Sequence, residues 1–325
     1  MTGTGGAPGV IRFLLRRFGE LLATLLAASF LVYASVRLAP GRPETFLLGG
    51  RGANPQALAA IREQYHLDDP FLVQYAKWLG GAVTGDLGTS VQYRSDVLDL
   101  VAARVPVTLA LIGISASLVL VGGLLLGLLG AVRGGRTDQA VLVATSAAVA
   151  TPSFIAAILL LSLFSVRLGW FPVLGSGDGF LDTLHHLALP AVALALPFVG
   201  VLARVARAAL LEQFALDHVT VARSRGVPER TLVRRHVLRG ALGPVLTQAG
   251  LTLSGLMVCT ILVESAFGLG GLGEFLAKSV TVKDFPVVQA ISLLTIALFV
   301  LVNLAVDLVH PLIDPRVRLG ARSTT

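Results

Sequence analysis

Six long apolar blocks decide most of what this chain can fold into. They run approximately over Ile11–Leu38, Val105–Val132, Ala140–Val166, Leu184–Leu202, Pro244–Val263 and Val287–Val309. A helix needs about 20 such residues to cross the roughly 30 Å hydrocarbon core of a bilayer. Inside that core no water can satisfy a backbone N–H or C=O, so each block must bond to itself as a helix or close into a barrel. A barrel would alternate apolar and polar residues over segments of about ten, and this sequence has no such pattern. The expected fold class is therefore an all-α membrane protein with six transmembrane helices. Composition agrees, with 54% hydrophobic and only 14% charged residues and a mean hydropathy of +0.80. A soluble domain carries about a quarter charged residues.

The charged residues that remain set the orientation. Lys and Arg number 26 against 19 acids, giving a pI near 10.3. Cytoplasmic loops of membrane proteins concentrate Lys and Arg. With the N-terminus inside, Arg12, Arg16, Arg17, Arg133, Arg136, the eight Arg from Arg204 to Arg239, and Arg316, Arg318 and Arg322 all lie inside. The loop at about Leu168–Thr183, on the other side, has no Lys or Arg. Both termini are expected in the cytoplasm. The basic residues follow this topology and no aromatic stripe interleaves them, so no nucleic-acid partner is expected. The first block has basic residues, an apolar run and then Ala27-Ala28-Ser29, as a signal peptide would. Its apolar core exceeds the usual 7–15 residues or so, which predicts an uncleaved first helix. The single Cys259 allows no intramolecular disulfide.

Between the first two spans, residues 40–104 are too many for a bare connector. Asn54 followed by Pro55 opens a helical pattern to Tyr65. A second pattern runs from Pro70 to about Ala82, with Phe71, Leu72, Tyr75, Trp78 and Leu79 on one face, until Gly85-Asp86-Leu87-Gly88 breaks it. This predicts a small extracytoplasmic helical cap, in which Tyr75 and Trp78 also suit the bilayer surface. Pro152, Pro190 and Pro197 fall within apolar blocks. Each removes a helical hydrogen bond and is a candidate kink near a translocation path.

Covalent chemistry finds little to stand on. The chain lacks Gly-x-x-x-x-Gly-Lys-Ser/Thr, His-Glu-x-x-His and Gly-x-Ser-x-Gly. No catalytic residue, cofactor or metal site is expected. His185-His186 are adjacent, point in different directions from a helix and suit a capping or interfacial role. Arg37, Arg167, Glu264 and Asp307 are the ionisable groups nearest the apolar blocks, all at block ends where side chains can snorkel to water. An ion-coupled carrier would place such groups at mid-membrane. A secondary carrier or channel is thus the weaker reading.

One charged stretch, Asp217 to His236, stands between two apolar blocks. A helical pattern from Glu212 to Arg225 extends the fourth span. Gly226 can take the left-handed conformation that closes a helix, and Pro228 suits the start of the next. Beyond Pro228, Leu232, Val233, Val237 and Leu238 share one face and arginines the other. Helix, glycine turn and amphipathic helix suit the groove of a soluble partner, and equally a basic loop resting on anionic lipid.

The residues here resemble the cytoplasmic loop of binding-protein-dependent ABC transporter permeases. That loop reads Glu-Ala-Ala, three residues, Gly, nine residues, then Ile-x-Leu-Pro. On Gly226, Ala222 and Leu238 match, while Thr220, Val221, His236 and Arg239 depart. The run Val221-Ala222-Arg223-Ser224-Arg225-Gly226-Val227, with Arg235-His236-Val237-Leu238-Arg239 and Pro244, is similar to the peptide branch of the family. Leu67–Tyr75, Gly85–Ser90, Thr151–Phe154, Gly169–Pro172, His186–Pro190, Val263–Gly273, Asn303–Leu308 and Asp314–Arg318 resemble the dipeptide/oligopeptide B-type subunits in order and spacing.

The resemblance implies a type I importer permease in the inner membrane. It would pair with a second, C-type permease, two cytoplasmic ATPase subunits and an extracytoplasmic solute-binding protein. Residues 1–39 would be the cytoplasmic N-terminus and first span, 105–310 the core of five helices, and 311–325 a cytoplasmic tail. Segment 212–240 would couple to the ATPases through Asp217, Thr220, Ala222, Arg223, Arg225, Gly226, Arg235 and His236. Cargo would be di- or oligopeptide, with nickel, glutathione or another small solute as alternatives.

Overall fold

The computed structural model describes residues 7–38 and 69–313, and within them the only non-helical pairing is one isolated bridge between Thr89 and Asp96. Five helices are long and apolar enough to cross a bilayer, or six if one bent pair counts as a single span. The expected helix from Asn54 to Tyr65 and the tail from residue 314 lie outside the described residues, as do the side chains of Arg37 and Asp307. The helices are α1 (Ala7–Leu38), α2 (Phe71–Thr84), α3 (Val97–Ala102), α4 (Val105–Arg133), α5 (Gly135–Ala150), α6 (Ser153–Leu160), α7 (Phe180–Phe214), α8 (Asp217–Ser224), α9 (Glu229–Leu232), α10 (Leu238–Phe267), α11 (Leu272–Thr281) and α12 (Phe285–Ile313). The chain divides into two compact units, one formed by Met1–Arg16, Leu109–Leu269 and Leu301–Thr325, the other by Arg17–Thr108 and Gly270–Val300.

In the first unit α7 is the central helix, with α5, α6 and α10 packed on it. Its buried positions include Leu187, Ala191, Leu194, Leu202, Ala206 and Leu210. Lipid gives no hydrophobic drive between helices, so close packing must hold them, and small residues permit it. Gly127 of α4 is such a place: a Cβ there would lie 2.8 Å from the Ala203 carbonyl oxygen and 2.8 Å from the Ala206 Cβ. Val119, Ala195, Leu202, Ala206 and Val245 form the core at this level. Polar ties supplement packing: Arg207 of α7 grips Asp138 of α5 with both Nε and Nη2, the latter at 2.5 Å, and Arg204 donates to Ser146 Oγ at 2.6 Å.

Two sequence expectations change here. The Ala140–Val166 block is not one helix with Pro152 inside it. Proline disfavours helical backbone in the residue before it, so Thr151 turns extended (φ −91°, ψ 111°) and α5 ends at Ala150. Pro152 then caps α6, and the pair bends by 97° before a π-helical turn, Leu161–Arg167, completes it. Pro190 and Pro197, by contrast, sit inside the continuous α7, as expected. The second change concerns Glu264. It is fully buried rather than snorkelling, because α10 runs on to Phe267 and the left-handed Gly268 closes it, with the N–H groups of Gly268 and Leu269 donating to the Glu264 carbonyl. Arg167, at the other block end named, is exposed.

The second unit packs α2 on the C-terminal part of α1 through aromatic rings. Phe30 and Tyr33 meet Phe71, Tyr75 and Trp78 at centroid separations of 5.3–5.7 Å. Ser29 Oγ and the Tyr75 hydroxyl share a 2.7 Å hydrogen bond. The aromatic face read in the sequence is thus a packing face. A second core gathers Val97, Val101, Leu272, Phe275, Val287, Ala290 and Ile291, with the Arg104 guanidinium 4.0 Å above the Phe275 ring.

Asp284, 1% exposed, pins the loop between α2 and α3 to this unit. Its carboxylate accepts from Ser90 Oγ (2.5 Å), Val91 N–H (3.3 Å) and Gln92 N–H (3.2 Å). Hydrogen bonds to a charged group contribute about 1.5–3 kcal/mol each. Asp284→Ala is therefore expected to speed amide exchange at Val91 and Gln92 by about tenfold or more, read by hydrogen-exchange mass spectrometry. Unchanged exchange would mean that the Ser90 N–H to Ser95 carbonyl bond holds the loop unaided.

Candidate functional site

The charged stretch singled out in the sequence folds as helix, glycine turn and helix, but begins differently from the expectation. The predicted single helix from Glu212 to Arg225 is two. α7 ends at Phe214, Leu216 is extended (ψ 143°), and α8 restarts at Asp217. Asp217 in that first turn is electrostatically favoured by the helix N-terminus, which rewards restarting there over continuing through Leu216.

The turn after α8 satisfies its loose carbonyls in a defined way. Gly226 is left-handed (φ +80°), its N–H donates to the Arg223 carbonyl at 3.0 Å, and the Val227 N–H donates to the Ala222 carbonyl at 3.2 Å. This pair of bonds is the Schellman closure, in which an apolar contact between the flanking residues is usual. Ala222 and Val227 both pack on the same apolar cluster. Ala222 therefore acts twice, through its carbonyl and through its small side chain. Pro228 (φ −57°) opens α9, with Glu229 in its first turn.

The second helix does not end as a separate amphipathic rod. After α9 a π-helical turn, Val233–Val237, leads straight into α10, so the turn is welded to a membrane-crossing helix. Beneath it lies a sealed cluster of Ala209, Leu210, Val219, Leu232, Val237 and Ala241, with Phe214, Leu128 and Leu238 at its margin. Apolar residues on both sides of Gly226 thus hold the turn against the end of α7.

What remains outward is polar with two apolar points. Asp217, Thr220, Arg223, Arg225 and Gly226 are exposed, as are Leu216 (40%) and Val221 (46%). Arg223 crosses the turn to Glu229, with Nη2 to Oε1 at 2.7 Å and Nε to Oε2 at 3.3 Å. Its hydrogen bond to Glu229, and then the attraction of that charge, raise the Arg223 pKa above the ordinary guanidinium value. Half exposed and screened by solvent, the pair adds little stability; it ties α8 to α9 across the turn. Arg235 is exposed at the π-turn, away from the turn's Schellman bonds, and the His236 side chain lies outside the described residues.

Other candidates sort themselves by position. His185 Nε2 is bonded to the Trp170 carbonyl at 3.1 Å, and His186 Nδ1 to the Asp182 carbonyl at 2.9 Å, so each ring has its own local backbone partner. Pro190 is buried in α7, Pro197 half-buried, and Pro152 exposed. The Asp138–Arg207 pair spans 69 residues and no spacing announces it. The only signal is that opposite charges within apolar surroundings call for one another.

Residues 123–319 match the family of binding-protein-dependent transport system inner membrane components, and residues 10–112 match the N-terminal region of such components. A putative peptide transport system permease protein of Brucella abortus (strain 2308) is 37% identical over 94% of this chain and 98% of its own. The glutathione transport system permease protein GsiC of Escherichia coli O6:H1 is 35% identical over 95% and 99%. The di/tripeptide transport system permease protein DppB of Pseudomonas aeruginosa is 35% identical over 95% and 99%. Among solved structures, an inward-facing MetNI methionine ABC transporter chain superposes with a TM-score of 0.53, at 24% identity, over 66% of this chain and 96% of that one.

Proposed function

The chain belongs to the family of binding-protein-dependent transport system inner membrane components, and from that premise we propose how this permease subunit of an ABC importer works. As a multi-pass inner membrane protein it leaves ATP hydrolysis to separate partner subunits. The cargo is a di- or oligopeptide, handed over by a solute-binding protein on the outer side. A second permease, of the C type, completes the path, and both termini of this chain face the cytoplasm. Residues 40–104 face the binding protein, residues 105–310 form the transporting core, and 311–325 remain in the cytoplasm.

The observation that carries this reading is the Schellman-closed turn at Gly226. It is polar outside, sealed inside, and joined without a break to a spanning helix. A push from an ATPase on Asp217, Thr220, Arg223 and Arg225 reaches α7 through the Val219, Leu232 and Leu210 cluster, and α10 through the π-turn. Arg235 and His236, in that turn, lie on the route. Coupling of this kind requires that the ATPase contact the segment differently in its two states. Peptide cargo is supported by the relatives named for peptides; the similar identity to GsiC keeps glutathione, itself a small peptide, as the second reading.

Two measurements test it. With its partners in proteoliposomes, uptake of a labelled dipeptide should require ATP and the binding protein; uptake that persists without ATP but with an ion gradient would favour a secondary carrier. For topology, Gly80→Cys in a Cys259→Ala background should react with an impermeant maleimide in intact spheroplasts. Ser224→Cys should react only after permeabilisation, and the reverse pattern would overturn the orientation.

A further inference from the structure

Several of the arginines between Arg204 and Arg239 are committed within the fold. Arg207 holds Asp138, Arg204 reaches Ser146, and Arg223 holds Glu229. Arg234, Arg235 and Arg239 are different. All three are exposed, and among the described residues none has a carboxylate within ion-pair distance. Together with Leu238 and Leu242 they line one cleft of about 570 Å³. The π-turn Val233–Val237 gathers them. Arg234 and Arg235 lie within that turn and Arg239 just after it, and Arg235 and Arg239, four apart, share a helix face.

Three like charges in one cleft call for an anion. Guanidinium forks fit the oxygens of a phosphate in bidentate geometry. The cleft is not purely ionic, however. Leu238 and Leu242, four residues apart and the latter 38% exposed, also line it and lie on α10, which is long and apolar enough to cross the bilayer. A soluble anion would engage the arginines and leave the leucines wet. An acidic protein surface would likewise leave a leucine track leading into the membrane uncovered. An amphiphile with a phosphate at one end and an acyl chain at the other covers both, and basic clefts at cytoplasmic helix ends suit anionic lipid headgroups.

We propose that this cleft is a binding site for an anionic phospholipid, its phosphate among Arg234, Arg235 and Arg239 and one acyl chain along Leu238 and Leu242. The bound lipid neutralises charge beside the coupling turn and anchors the start of α10 at the bilayer surface. The site requires α10 to span the membrane and rests on neither the cargo nor the coupling assignment.

The full-length chain in phosphatidylcholine nanodiscs, titrated with phosphatidylglycerol, gives the test, with retained lipid counted by native mass spectrometry. Wild type should keep phosphatidylglycerol in preference to phosphatidylcholine. The triple variant Arg234→Gln, Arg235→Gln, Arg239→Gln should lose about tenfold or more of that preference. Arg235→Gln and Arg239→Gln alone, at exposed side chains with no ion pair among the described residues, should each lose about threefold. Preference unchanged in all variants would overturn the proposal. So would inorganic phosphate displacing the lipid at equal anion concentration, which would make this a soluble-anion site. Unchanged lipid retention with weakened ATPase assembly would assign the cleft to protein docking instead.

Discussion

Gly226→Val is expected to cut ATP-driven uptake more than tenfold while the protein stays in the membrane at its normal level. No clash causes this, since a Cβ at Gly226 would meet nothing within 4 Å. The effect is in the backbone: at φ +80° a side chain strains the left-handed turn by about 1–2 kcal/mol. Against a total stability of roughly 5–15 kcal/mol that does not unfold a chain. It does oppose the one geometry in which Gly226 and Val227 donate to the Arg223 and Ala222 carbonyls. Once those bonds open, the contact of Ala222 and Val227 with the cluster beneath and the Arg223–Glu229 bridge lose their frame. Uptake in proteoliposomes, ATPase stimulation and membrane level by immunoblot should separate the cases. Gly226→Asn, which tolerates the left-handed region far better than a β-branched residue, should retain most of the uptake. Normal uptake and normal ATPase stimulation in Gly226→Val would remove the coupling role from this turn.

Gly127→Leu should act in the opposite sense, on the amount of folded protein rather than on coupling. A Cβ there meets the Ala203 carbonyl oxygen and Ala206 Cβ at 2.8 Å and the Arg207 N at 3.0 Å, and backbone atoms cannot swing aside. Leucine would force α4 off α7, at the level where Arg207 grips Asp138. Overpacking of this kind destabilises by about 1–3 kcal/mol, and more where backbone must move. The expected result is a fall in detergent Tm of about 5 °C or more, with less protein in the membrane. Gly113→Leu, on the same helix with nothing within 4 Å, is the matched control and should change Tm little. Equal Tm values for the two variants would mean that the α4–α7 approach carries no stability.

The two substitutions differ in how visible their sites are along the chain. Gly226 followed by Pro228, inside a charged stretch between apolar blocks, announces a turn because glycine and proline have few backbone alternatives there. Gly127 lies in a run of leucines, valines and glycines, and only the path of α7 shows what it faces. The same contrast holds for prolines. Pro190 and Pro197 lie inside a continuous helix while Pro152 ends one, and the extended Thr151 that separates these outcomes is a feature of backbone geometry. Glu264 looked like a helix-end residue with access to water. Its enclosure follows from the extra turn to Phe267 and the Gly268 closure. Asp284 gave no signal at all, being one carboxylate near a helix start until residues 90–92 arrive from almost 200 positions away.

Sequence by itself determined the helical membrane class, the approximate spans and the turn at Gly226. Each of these rests on a local rule: backbone groups in lipid must bond within their own segment, and glycine alone takes a left-handed turn without strain. Tertiary structure alone decided the burial of Glu264, the Asp138–Arg207 grip and the gathering of Arg234, Arg235 and Arg239 around one cleft. Those depend on which surfaces meet, and burial or ion pairing between distant residues has no period or spacing that a linear chain can display.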